Sequence, residues 1–413
     1  MRKIIGPFTQ LLTMDKLPLQ GHLSDDQLEI IPDGGILCKN GKIVEVGNFE
    51  QLRRENAKAE VEYVEGNYVG MPGLIDAHTH ICWAGSRAND YAMRLAGKTY
   101  LEIAETGGGI WDTVQKTREA SVEDLANLTA QRAEKMFRQG TTTIEVKSGY
   151  GLSVEHELKI LEAIKRANKK TSAELIPTCL AAHILPNDFL GSQSEYLQSI
   201  VQYLLPEIKK RNLANRVDIF VEKGAFSVSE AKYYLSQAKN TGFDRIIHGD
   251  QFSKNSASLA VELQALSIDH LEYADETEIE ILAKSNVFPI VLPGASIGLG
   301  ERFAPARKLL DAGCSLVIAS DWNPGSAPMG DLLVQAAILD AYEKLTMAET
   351  LAAITCRAAL ALKINDIGIL KKGNKADFIA FPTTNFKEIL YQQGQLKPEI
   401  IVSAKSLETN VLG

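Results

Sequence analysis

Between residues 74 and 323 the chain alternates short apolar runs with longer stretches in which apolar and charged residues interleave. The runs fall at 74–80, 141–148, 174–183, 217–226, 245–252, 267–273, 287–294 and 314–323. Near-continuous apolar runs suit strands buried on both faces of a parallel sheet. The stretches between them have helical spacing. In Val154 to Asn168, for example, Val154, Leu158, Ile160 and Leu161 interleave with Glu155, His156, Glu157 and Lys159. Strand and helix alternating eight times predicts an α/β fold, a TIM-like (β/α)8 barrel. The sixth and seventh runs lie close together and leave the least room for a helix.

The flanking segments read differently. Residues 34–47 form two short runs around Asn40-Gly41, a pair suited to the positive-φ turn of a tight hairpin. Residues 368–381 echo that pattern near the other end. The two ends are expected to meet in one small β-sandwich, so that residues 1–70 plus 361–413 form a composite domain around a barrel at 71–360.

Polar residues cluster at the ends of the barrel runs. Ile144-Glu145-Val146-Lys147-Ser148-Gly149-Tyr150, Ile246-Ile247-His248-Gly249-Asp250-Gln251 and Val317-Ile318-Ala319-Ser320-Asp321-Trp322-Asn323 all begin apolar and finish polar. A barrel interior is packed, and sites in this fold sit at the C-terminal ends of strands. The sharpest signal is Pro72-Gly73-Leu74-Ile75-Asp76-Ala77-His78-Thr79-His80. Residues two apart in extended chain share a face, so His78 and His80 project together, as two ligands of one metal ion must. His183, His248 and His270 also end apolar runs. Each of these alone reads as a hydrogen-bonded structural residue, and Asp321 or Ser320 alone as a helix cap. Together with the paired histidines they read as one metal centre. His22 and His156 lie outside this pattern and are expected to face solvent.

Composition narrows the partners. A formal charge of -8 argues against nucleic acid and against an anionic membrane, which both reward basic surface. No apolar run approaches the roughly 18 residues that a membrane helix needs. The five cysteines are odd in number and contain no C-x-x-C pair, which points to buried thiols and a cytoplasmic setting. The expected partner is a small-molecule substrate.

With these residues in view, the chain resembles the amidohydrolase superfamily of metal-dependent hydrolases. Members carry His-x-His after the first barrel strand, histidines after the fifth and sixth, and an aspartate after the eighth. His78, His80, His248, His270 and Asp321 match in that order. Further blocks are similar to the branch that opens the ring amide of an imidazolone with a propionate tail. They are Gly85-Ser86-Arg87-Ala88-Asn89-Asp90-Tyr91, Gly107-Gly108-Gly109-Ile110, Lys147-Ser148-Gly149-Tyr150-Gly151-Leu152, Asp269-His270-Leu271-Glu272-Tyr273 and Asp321-Trp322-Asn323-Pro324-Gly325-Ser326.

The resemblance implies one metal ion per chain, zinc or iron, on His78, His80, His248 and Asp321. It implies Asp321 and His270 as the catalytic pair. Asp321 takes the proton of the attacking water, and His270 holds that water or steadies the oxyanion. Arg87 would grip the carboxylate tail, with Tyr150 and Tyr100 assisting, and His183, Gln251, Asn323, Gly325 and Ser326 would contact the ring or the product. A homodimer is also implied. Deaminase relatives place a glutamate three residues after the fifth-strand histidine. Here Gln251 stands there; it can hydrogen-bond a ring amide but cannot shuttle protons. Glu222-Lys223, near the end of the fourth run, lies where binuclear relatives add a ligand. A single ion is expected, with Glu222 anchoring Lys223 or a neighbouring loop. Two rivals remain at this point: a different ring hydrolase or deaminase on the same scaffold, and a non-catalytic relative that has kept the fold.

Overall fold

The computed structural model describes residues 2–98, 102 and 106–409. The N-terminal segment supplies β1 (Arg2–Leu12), β2 (Ile30–Lys39), β3 (Lys42–Asn48), β4 (Glu60–Tyr63) and β5 (Val69–Pro72). The barrel strands follow: β6 (Leu74–Asp76), β7 (Thr141–Lys147), β8 (Glu174–Ala182), β9 (Arg216–Val221), β10 (Asp244–Gly249), β11 (Ser267–His270), β12 (Phe288–Val291) and β13 (Val317–Ile318). Near the C-terminus come β14 (Phe378–Phe381) and β15 (Ile400–Val402).

Both chain ends share one seven-stranded sheet in the order β15-β14-β5-β1-β2-β3, with β4 also on β1. β1 is its organiser. One edge pairs antiparallel with β2. The other takes β4 along Lys3–Gly6 and β5 at Gln10 and Leu11. A register shift between Ile5 and Phe8 separates the two halves. Asn40 and Gly41 turn β2 into β3 with φ of +51° and +69°, the geometry that favours Asn-Gly in two-residue hairpins. Phe8 meets Phe378 edge-on at 6.0 Å, so the core of this sheet draws on both ends of the chain.

The eight barrel strands run β6 to β13 in order, and each neighbouring pair is parallel. They fall on the eight runs marked by the hydrophobic pattern but stop short of several run ends. β10 ends at Gly249 and β13 spans only Val317 and Ile318. The polar residues beyond leave the sheet to form loops at the C-terminal mouth. A helix, Glu276–Ala283, does fit between β11 and β12; the Asp275 side chain caps it by accepting from the N–H groups of Thr277 and Glu278. The amphipathic stretch after β7 forms the helix Val154–Ala167, capped by Ser153.

β6 and β13 share no strand ladder. The seam is joined at the mouth by a parallel bridge between Thr79 and Trp322. Asp321 N–H donates to His78 C=O over 3.0 Å, and His80 N–H donates to Trp322 C=O over 2.9 Å. Leu74, Ile75, Ile144, Val146, Val217, Ile219, Ile247 and Ile268 are buried along the barrel. Among the described residues, no helix is long and apolar enough to cross a membrane. All five cysteines are buried and unpaired.

Candidate active site

The extended segment after β6 carries His78 and His80, β10 carries His248 near its end, and Asp321 follows β13. Their donor atoms converge. His78 Nε2 lies 3.3 Å from His80 Nε2, and His248 Nε2 lies 3.4 Å from His80 Nε2. Asp321 Oδ1 lies 3.4 Å from Nε2 of both His78 and His80. All four residues are buried. Four ligands arranged tetrahedrally at about 2.0–2.1 Å from an ion stand about 3.3–3.4 Å apart, so the spacing fits a single metal ion.

The chemistry of the donors fits as well. His78 Nδ1 lies 2.6 Å from Asp269 Oδ2, and His248 Nδ1 lies 2.9 Å from Asp218 Oδ2. A carboxylate facing Nδ1 keeps the proton there and leaves a lone pair on Nε2. Burial lowers the pKa of His78, His80 and His248, that of His248 to about 4, so the rings are neutral. Burial opposes ionisation of Asp321, whereas its contacts with His78 and His80 hold its pKa well below the usual range. Ring nitrogens with free lone pairs and one carboxylate make a donor set suited to a cation.

Asp321 adopts φ of +50° and His270 φ of +90°. Side chains other than glycine seldom occupy this region, and such backbone is found where a site needs it. His270 ends β11, and Asp321 lies three residues beyond β13. His270 Nδ1 lies 3.4 Å from Glu272 Oε1. Burial disfavours the charged ring, but Glu272, Asp321 and Asp269 outweigh it and raise its pKa.

A cavity of about 740 Å³ opens over these groups, and its lining includes His80, Arg87, Tyr150, His183, His248, Gln251, His270, Asp321, Asn323, Gly325 and Ser326. Tyr100 lies outside the described residues. The His183 ring stacks on His80 at 5.6 Å, with its Nδ1 3.0 Å from Gly149 C=O. Its pKa is lowered to about 4 by burial, so Nδ1 donates to that carbonyl and Nε2 carries a lone pair. Arg87 Nε donates to Asp90 Oδ2 over 2.8 Å. A Cβ on Gly325 would come within 2.4 Å of Arg87 Nη1, so glycine there makes room for the guanidinium.

Asn323 serves its own loop. Its Oδ1 accepts from Gly325 N–H and Ser326 N–H, both at 2.8 Å, and its Nδ2 donates to Asp321 C=O and to the Ser326 hydroxyl. Glu222 is also occupied. It accepts from the backbone N–H groups of Lys223, Phe252 and Ser253 and from the Ser253 hydroxyl. One expectation for histidines outside the site needs correction. His156 is only partly exposed: it lies in the first turn of the helix that Ser153 caps, with Ser153 Oγ 2.8 Å from its Nδ1. His22 is exposed, and its Nδ1 lies 2.7 Å from the buried Glu349.

Several site residues were not singled out from the sequence. Asp218 and Asp269 back His248 and His78, and Lys147 joins them. Each is a charged residue inside an apolar strand, and a charge buried on both faces of a sheet must be paired. Arg94 also lines the cavity, with Nη2 donating to Gly325 C=O over 3.3 Å. Its signal is its place seven residues, two helical turns, after Arg87.

The barrel and its mouth define a metal-dependent amidohydrolase. The amidohydrolase family model matches residues 69–408, and the chain belongs to that family. Within it the chain sits among the imidazolonepropionases. It is 38% identical over 396 residues to the imidazolonepropionase of Alkaliphilus oremlandii, covering 94% of each chain. It is 40% identical over 389 residues to that of Bacillus mycoides, covering 93% of this chain and 91% of the relative. Two solved structures share the fold. An atrazine chlorohydrolase from Arthrobacter aurescens, complexed with zinc, superposes with a TM-score of 0.69 at 16% identity, over 97% of this chain and 94% of its own. An adenosine deaminase from Xanthomonas campestris with bound zinc gives 0.68 at 19%, over 99% and 97%.

Proposed function

We propose that the protein hydrolyses the ring amide of 4-imidazolone-5-propionate to N-formimidoyl-L-glutamate, the third step of histidine degradation. The observation that carries this reading is one cavity lined both by His80, His248 and Asp321 of the four-donor cluster and by Arg87. The imidazolonepropionase relatives support the same substrate.

His78, His80, His248 and Asp321 would hold a single ion, zinc or iron; nitrogen-rich ligation suits either. A bound divalent ion lowers the pKa of a water from about 15.7 towards 7 and polarises a carbonyl. Asp321 would accept a proton from the attacking water and return it to the ring nitrogen as the amide bond breaks. His270, whose pKa its acidic neighbours raise against burial, would donate to the oxygen on which charge develops. His183 offers its Nε2 lone pair to a ring N–H. Burial raises the pKa of Tyr150, so its hydroxyl stays a donor. Arg87, steadied by Asp90, pairs with the propionate through its remaining N–H groups. Gln251, Gly325 and Ser326 line the wall that meets the ring, and Asn323 shapes that wall.

The test is to mix the purified protein with enzymatically generated imidazolonepropionate. The ring's ultraviolet absorbance should decay, and mass spectrometry should identify formimidoylglutamate. Intact substrate, together with ammonia released from a purine or pyrimidine, would replace this reading with a deaminase.

A further inference from the structure

Next to the four donors lies a buried cation that the reaction leaves without a part. Lys147 ends β7 and is fully buried. Its Nζ lies 2.8 Å from Asp218 Oδ2, 3.0 Å from Glu145 Oε1 and 3.5 Å from Asp269 Oδ2. Two of these oxygens have a second contact. Asp218 Oδ2 also faces His248 Nδ1 at 2.9 Å, and Asp269 Oδ2 also faces His78 Nδ1 at 2.6 Å. One ammonium therefore touches the very atoms that orient two ligand imidazoles coming from different strands.

A fold-stabilising ion pair is the simpler explanation for a buried lysine. It fits poorly here. Removing an ammonium and three carboxylates from water costs more than their pairing returns, and apolar residues would fill the same space at least as well. The cluster also has the shape of a cation site. Asp218, His248 and Asp269 bring donor atoms within 4.8 Å of one another, as a metal site does. The Lys147 ammonium already supplies the positive charge there.

We infer that Lys147 is a positioning residue for the metal centre. It clamps Asp218 and Asp269, and they in turn hold the His248 and His78 rings with both Nε2 lone pairs aimed at the ion. Without the ammonium, the two carboxylates repel each other and lose their shared anchor, and the rings lose a fixed orientation. This rests on the proposed metal centre but not on the identity of the substrate.

Two variants test it. Lys147→Met removes the ammonium. Lys147→Met with Glu145→Gln removes it while keeping the cluster's net charge, which protects folding. Each is stripped of metal. Its Zn²⁺ affinity is then measured by competition with a chromophoric chelator, and the melting temperature of the metal-free form is recorded. Both variants are expected to bind Zn²⁺ at least about tenfold more weakly than the parent, as when the outer partners of metal ligands are lost. The metal-free double variant should melt close to the parent. A folded variant with the parent's Zn²⁺ affinity would overturn the inference. A parent chain that takes up no Zn²⁺ would instead overturn the metal centre itself.

Discussion

Asp321 and His78 are joined twice. The Asp321 N–H donates to the His78 carbonyl over 3.0 Å, and the Asp321 carboxylate lies 3.4 Å from the His78 imidazole. The first contact closes the seam between the first and last barrel strands. The second belongs to the four-donor cluster that spans that seam. Residues 243 positions apart in sequence are thus set by the bond that completes the fold, and the positive φ of Asp321 turns its carboxyl inwards.

Asp321→Asn separates the two contacts. Asparagine tolerates positive φ better than most side chains and keeps the backbone donor. It cannot accept the proton. Turnover should fall by about 10²–10⁴, with the melting temperature of the metal-free form nearly unchanged. Steady-state kinetics beside a thermal melt check this. Retention of most of the activity would remove Asp321 from proton transfer.

His80→Ala removes a donor that lies 3.3–3.4 Å from each of the other three. The variant should fold, purify with well under one equivalent of metal and lack activity. Metal analysis by mass spectrometry beside circular dichroism provides the check. A full equivalent of metal would show that the ion sits elsewhere.

Arg87→Ala should act on binding. Losing a charge-assisted carboxylate contact is worth about 1.5–3 kcal/mol, so kcat/KM should drop by about one to two orders of magnitude, mostly through KM. Gly325→Ala offers a gentler version, because the new Cβ would press on Arg87 Nη1. It should raise KM while leaving metal content intact. Unchanged kinetics in Arg87→Ala would dismiss its carboxylate role.

A stability prediction concerns Glu349. Burial opposes its ionisation, but a two-pronged pair with Arg307, two backbone N–H groups and His22 lower its pKa to about 2. A depressed folded pKa stabilises the protein above the ordinary carboxyl range near 4.5. That contribution disappears as pH falls towards 2. Glu349→Gln should therefore cost roughly 1–2 kcal/mol at pH 7, allowing for the solvent contact of its partners. Urea unfolding of both proteins at pH 7 and at pH 4 should show the gap narrowing at the lower pH. An equal gap at both would mean that the pair stabilises by packing alone.

The barrel was legible because its strands are buried on both faces and so spell continuous apolar runs; all eight strands lie on those runs. Their ends were less so. Polar residues at the mouth belong to loops, and periodicity cannot tell where a strand stops hydrogen-bonding. His78 and His80 were legible because period two puts them on one face. Lys147, Asp218 and Asp269 were not read as part of the site, since nothing local says which buried charges meet when the strands close into a ring. Asn323 was read as a substrate contact, but its amide is consumed by its own turn. That competition between ligand and backbone is invisible without coordinates.

The central claim is that one ion on His78, His80, His248 and Asp321 makes this protein an imidazolonepropionate hydrolase. The most direct measurement titrates Zn²⁺ into metal-free protein while following turnover of imidazolonepropionate. The account predicts no turnover at the start, a linear rise, and a plateau at one equivalent per chain. Full activity in the rigorously metal-free protein, or none after one equivalent is bound, would contradict it.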